Sequence, residues 1–183
     1  DADNDEIDLL SLSAWYGFAF RALEDPVDNF FEDYYYFSLL EPSDTGYWKQ
    51  ADNYFDLKYY TDYIIGESWM ANNDWPGNNI KIYRSDKTNY RWRFCLIDLE
   101  LGMAPNSWTD CYTDHIRYML DQDPNNPFIN IWKRSIENDE YRHYFINRFA
   151  DVMNTAYLAE NIISLENRMF DQVVGEMPKE YAR

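Results

Sequence analysis

Basic residues, glycines and cysteines are scarce in this chain, and each shortage removes a class of function. Lysine and arginine total 16 against 33 aspartates and glutamates, a formal net charge of −17 over 183 residues. Such a chain opposes nucleic-acid backbones and anionic bilayers with its own field, so neither is expected as a partner. No apolar run approaches the roughly 20 residues that a spanning helix needs, so no membrane span is expected. The six glycines include no G-x-G, which leaves no Gly-rich loop to cradle phosphates. Cys95 and Cys111 are the only cysteines, too few for a disulfide framework or a four-ligand zinc site. Cys95 lies in an apolar strand-like run and reads as a small buried hydrophobe. His115 and His143 stand apart without a second ligand and read as surface or capped core residues.

What is present in quantity is apolar, and above all aromatic. Hydrophobic content of 46% and aromatic content of 19% belong to a folded chain, long enough for one domain or for a lobe of something larger. Its opening, DADNDEIDLL, has no methionine and reads as a cut inside a longer chain. Residues 9–23, rich in Leu, Ala and aromatics, are expected to form a helix closed by Pro26. A second helix is expected at about 29–40. A third follows, with Asp56 as N-cap and Leu57, Tyr60 and Ile64 on its apolar stripe. The tyrosines of YYYF (34–37) and most of the seven tryptophans read as packing rather than as glycan platforms.

The period then changes from helical to alternating. IKIYR (80–84) and YRWRFCLID (90–98), joined by polar SDKTN, predict a β-hairpin with Tyr90, Trp92, Phe94 and Leu96 on one face. Arg91 and Arg93 fall on the other face, solvated or paired with carboxylates. Placing Arg84 opposite Tyr90 sets Asn79 opposite Cys95, with Asp98 within about 10 Å of Asn79. Further on, Tyr141, Phe145, Phe149 and Val152 make one helical stripe, and Ile162, Leu165, Met169 and Val173 another. The expected fold is mainly α with a small β-hairpin, in a single helix-rich domain over 1–183.

Asp74, Asn79, Asp98 and Glu100 therefore converge at one end of the hairpin. Two carboxylates and an amide oxygen suit a hard divalent cation such as magnesium, which also keeps positions for water and phosphate. A carboxylate held off the metal can take the proton of a hydroxyl nucleophile. An Asp with an Asn five places on, then a hairpin, then a metal-binding acid, is the order found in a protein-kinase catalytic lobe.

The stretch DYIIGESWMANNDWPGNNIKIYR…RWRFCLIDLELGM resembles the CotH kinase family, named for a bacterial spore-coat protein. FINIWKRSIENDEYRHYFINRFADVMNTAYLAENIISLENRMFDQV resembles that family's helical tail, so the resemblance runs from about Asp56 to the end. It implies an atypical protein-kinase-like fold, of which this chain would be the C-terminal lobe. It also implies ATP- and magnesium-dependent phosphorylation of Ser or Thr on protein substrates. Asp74 would be the catalytic-loop acid, and Asn79 and Asp98 the metal and nucleotide ligands. Glu100 stands where the family has a second metal-binding aspartate, and Ile97 replaces the usual tryptophan. An extracellular or cell-surface location goes with the family.

A kinase also needs a nucleotide-covering loop and a lysine on the phosphates. The first 55 residues read as helical, and Lys49 and Lys58 read as solvated. The N-terminal lobe is therefore expected to be missing and the fragment alone to be inactive. The alternative is a non-catalytic surface or coat-assembly protein that keeps the scaffold for protein contacts.

Overall fold

The computed structural model describes residues 8–12, 20–22, 26–99, 102 and 112–181. They are mostly helical and divide into two compact units, Asp1–His143 and Tyr144–Arg183. In chain order the elements are β1 (Asp8–Leu12), β2 (Phe20–Ala22), α1 (Pro26–Ser38), α2 (Tyr47–Ala51), α3 (Leu57–Met70), β3 (Ile80–Arg84) and β4 (Arg93–Cys95). Then come α4 (His115–Leu120), α5 (Pro127–Ser135), α6 (Asp139–Met153), α7 (Ala159–Val173) and α8 (Met177–Tyr181). Among the described residues no helix is long and apolar enough to cross a membrane.

The helix expected over 9–23 is not formed. Asp8–Leu12 and Phe20–Ala22 are strands of a four-stranded antiparallel sheet ordered β2-β1-β3-β4. A short apolar run carries too little period to choose between helix and strand. Here β3 offers an edge whose amides and carbonyls need partners, and β1 pairs along its whole length, from Asp8↔Arg84 to Leu12↔Ile80. Pro26 opens α1 instead of closing a helix, the position where its missing N–H costs nothing.

The hairpin forms two residues out of the expected register. Lys81 faces Cys95, Ile82 faces Phe94 and Tyr83 faces Arg93. The connection is longer than SDKTN alone. Asp86–Thr88 make one 3-10 turn, and Asn89 and Tyr90 are both left-handed at φ 53 and 56. Trp92 then bonds to the chain before α3, its N–H to the Tyr54 carbonyl at 2.8 Å and its carbonyl to the Asp56 N–H at 3.1 Å. Only Trp92 and Phe94 of the expected apolar face are buried, while Tyr90 and Leu96 are exposed.

The core of the first unit is a chain of rings. Phe30 contacts Phe55, Trp92 and Phe128 at centroid distances of 6.0, 5.6 and 5.3 Å. Tyr60 and Tyr63 of α3 meet Phe94 at 4.8 and 5.2 Å, and Tyr63 meets Trp75 edge-on at 5.7 Å. Asp56 caps α3 as expected, accepting from the Tyr59 N–H. Its other oxygen takes Arg93 at 2.7 Å, and Arg91 pairs with Asp52 at 2.6 Å, so both arginines are partnered. Tyr141 is fully buried and its hydroxyl lies 2.8 Å from that of Thr61. In the second unit Phe145 and Val152 are buried and Phe149 half-buried. The α7 helix forms where its stripe places it, but Leu165, Met169 and Val173 are exposed.

Candidate functional site

The site is the bend that follows α3. The helix ends at Met70 because Ala71 turns left-handed, φ 51, and its N–H bonds to the Ser68 carbonyl at 3.1 Å. Asn72 folds back beneath the helix end: its N–H meets the Glu67 carbonyl at 3.2 Å and its side-chain amide donates to Glu67 Oε2 at 2.8 Å. Trp75 is fully buried against Tyr63, and the Trp75–Pro76 peptide is cis. The tryptophan thus anchors a polar loop in the aromatic core.

Two later helices hold the same loop from its other side. Asn126, the N-cap of α5, accepts from the Phe128 N–H through Oδ1 and donates through Nδ2 to the Pro76 carbonyl at 3.0 Å. From α4, the Tyr118 hydroxyl donates to the Asn73 carbonyl at 2.6 Å and His115 Nε2 bonds the Asn72 carbonyl at 3.0 Å. A carbonyl only accepts, so the His115 proton sits on Nε2. Burial pushes the pKa of this ring below its usual value, partly offset by the Asn72 bond and the Asp114 charge. His143, by contrast, is exposed.

Held this way, the loop brings Asp74 and Asn79 together. Asp74 is half-buried, and its Oδ2 accepts from Asn78 Nδ2 at 2.9 Å and Asn79 Nδ2 at 2.8 Å. Oδ1 takes neither bond. Burial, and then the Asp74 charge, raise the Tyr118 phenol pKa, so that hydroxyl lies within electrostatic reach of the carboxylate. Asn79 is buried and left-handed at φ 56, and Asp98 is exposed and left-handed at φ 54. Asn and Asp tolerate this region better than other side chains, and such backbone collects at functional sites.

Asp98 lies in the chain between Leu96 and Gly102, two residues that touch α3. Extending the observed ladder two places beyond Lys81↔Cys95 sets residue 97 level with Asn79. The chain after β4 presses Leu96 on Gly66, where an added Cβ would lie 2.8 Å from Leu96 Cδ1. It reaches Gly102, where a Cβ would lie 2.6 Å from the Met70 carbonyl oxygen. Leu96 and Gly102 therefore both lie against the last turns of α3, near the root of the loop. Glu100, like Cys111, lies outside the described residues. Cys95 is half-buried rather than buried, and burial raises its thiol pKa.

Residues 21–183 match the family model described as CotH kinase protein. The chain belongs to that family. No curated protein and no solved structure matches it. The match begins well upstream of Asp56, where the resemblance in motifs starts, so α1 and α2 belong to the CotH region as well.

Among the described residues of this CotH chain, no three His, Cys, Asp or Glu side chains are grouped to hold a metal. Magnesium asks less, since one or two carboxylates suffice when phosphates and waters complete the shell. The donor set suits it in kind: Asn79 commits its NH₂ to Asp74, which turns the amide oxygen away, and Asp98 adds an exposed carboxylate. The helix contact that carries Asp98 can be tested directly. Gly102→Ala puts a methyl against backbone at Met70, and should cost about 1–3 kcal/mol in urea unfolding. Gly66→Ala meets only the end of the exposed Leu96 side chain and should be far milder.

Sequence reasoning did not assign His115, Tyr118 or Asn126 to this site. Asn126-Pro127 carries a readable helix-start signal. Nothing in the local sequence says that the cap also holds a carbonyl 50 residues upstream.

Proposed function

We propose that this CotH-family protein transfers the γ-phosphoryl group of ATP, with magnesium, to Ser or Thr hydroxyls of protein substrates. The observation that supports this most is the Asp74 carboxylate, fixed through Oδ2 by two amides and free of both at Oδ1. A substrate hydroxyl would pass its proton to Oδ1 as its oxygen bonds the γ-phosphorus. The bond from that phosphorus to the bridging oxygen breaks, and ADP leaves with the electron pair. Asn78 and Asn79 keep the accepting carboxylate in one orientation throughout. Asn79 and Asp98, with Glu100 as a further acid, would hold magnesium, which supplies charge neutralisation on the phosphates when bound.

Lys49 and Lys58 are both exposed, as expected. The alternative is a non-catalytic surface or coat protein that keeps the scaffold for contacts. A cell-surface or extracellular location accompanies either version.

The test uses the full-length protein with radiolabelled ATP and magnesium. Asp98→Ala should lower phosphate transfer by about 10²-fold or more. Equal transfer by the variant and the wild type removes Asp98 from the assignment. Calorimetry showing no Mg·ATP binding by the wild type would leave the scaffold role standing.

A further inference from the structure

We propose that Glu67 is a positioning residue for the 72–79 loop: from inside the last turn of α3 its carboxyl grips Asn72, and so sets where Asp74 and Asn79 stand. The role assigned to those two residues is the one proposed above. The grip itself is a matter of packing and hydrogen bonds.

Glu67 and Asn72 are both fully buried. Asn72 is the root of the loop, where the chain leaves α3 through the left-handed Ala71. Its main-chain N–H bonds to the Glu67 carbonyl and its side-chain amide to Glu67 Oε2. Its carbonyl accepts from the Trp75 N–H at 3.2 Å and from His115 Nε2 at 3.0 Å. Asn72 is thus tied to α3, to α4 and to the next turn of the loop, and one residue separates it from Asp74. Loss of the carboxyl would strand the Asn72 amide in a site closed to water, where an unpaired polar group is costly. The loop then has reason to shift, and Asp74 and Asn79 shift with it.

The chemistry of the carboxyl predicts which substitution is tolerated. Burial pushes the Glu67 pKa up to about 7, opposed by the Asn72 bond and by the Tyr63 hydroxyl. That hydroxyl stands beside the carboxyl without completing a bond of good geometry, and Glu67 Oε1 has no partner. Much of the acid is therefore neutral near pH 7, with one oxygen accepting from Asn72 and the other carrying a proton. Glutamine reproduces that pattern with its own carbonyl and NH₂, and alanine does not.

The titration supplies a second signature. A folded pKa above the usual 4.5 means stability is fully present below pH 4.5 and is lost as pH rises through about 7. One titratable group acts on this carboxyl directly, and a second bonds its partner Asn72. Tyr63, on its own helix, is held well above its usual pKa by burial. His115, across the Asn72 carbonyl from α4, is lowered and acts in the opposite sense, losing stability as pH falls. Comparing wild type with Glu67→Gln isolates the glutamate from both.

The experiment compares wild type, Glu67→Ala and Glu67→Gln in the full-length protein by amide hydrogen exchange and by phosphoryl-transfer kinetics. Glu67→Ala should speed exchange across 72–79 about ten-fold or more, with β3 and β4 unchanged. It should lower kcat about 10–100-fold with little change in KM for Mg·ATP. Glu67→Gln should restore both and flatten the fall in stability between pH 4.5 and 7. If Glu67→Ala does not fold, Asn72→Ala removes the same bond from the loop side and should give the same pattern. Unchanged exchange at 72–79 in the alanine variant, or a glutamine variant as loose as it, overturns the proposal. A wild type without phosphoryl transfer sinks the kinase reading instead, and the exchange data still decide the role of Glu67.

Discussion

On the proposed mechanism, Asp74→Asn should lower phosphoryl transfer by about 10²–10⁴-fold, the usual worth of a positioned general base, while leaving the loop in place. The reason lies in how the carboxylate is held. The Asn78 and Asn79 amides both donate to Oδ2, and an asparagine carbonyl at that point can still accept from them. Its NH₂ then occupies the place of Oδ1, where the substrate hydroxyl needs an acceptor. A donor would face a donor. Single-turnover transfer at saturating Mg·ATP measures the loss, and urea unfolding should show a change of no more than about 1 kcal/mol. Full activity in this variant would make Asp74 the hub of a turn and nothing more.

The largest loss of stability should come from Trp92→Ala, about 3–5 kcal/mol by equilibrium unfolding. The ring is fully buried and meets Phe30 edge-on at 5.6 Å, and the Arg84 guanidinium lies 4.8 Å above it. Its indole N–H donates to Asp33 Oδ2 at 2.9 Å, the same oxygen that pairs with Arg84. Truncation therefore opens a void and exposes an ion pair that links α1 to β3. Trp92→Phe keeps most of the apolar volume and should cost about half as much or less. Equal losses for the two variants would mean that the polar contact with Asp33, rather than packing, carries the effect.

Much of the middle of the chain was legible in the sequence because local signals agreed with one another there. The Asp56 cap, the α3 stripe and the alternation of IKIYR all point the same way, and all appear. Residues 9–23 misled because their partner lies far off: leucine-rich DLLSL becomes a strand by virtue of the β3 edge, and nothing in its own composition shows that edge. The hairpin register failed for a local reason. Two left-handed residues and a 3-10 turn lengthen the connection, and Tyr90, too bulky to be an obvious choice for positive φ, gave no sign of it. At the site, the spacing of Asp74 and Asn79 marked the residues that meet. The His115, Tyr118 and Asn126 contacts join positions more than 40 residues apart, beyond the range of any period or motif.

The pairing of Leu12 with Ile80 bears on the order in which the molecule comes together. Ile80 directly follows Asn79, so the strand that fixes this end of β3 comes from roughly 70 positions earlier, and closing so wide a circle is entropically slow. Helix α3 and the β3–β4 ribbon need only near neighbours and can organise first. The oxygen-bearing bend would then gain its last restraint late, when the amino-terminal ribbon arrives. A newly made molecule could hold most of its helices well before that bend takes its final shape.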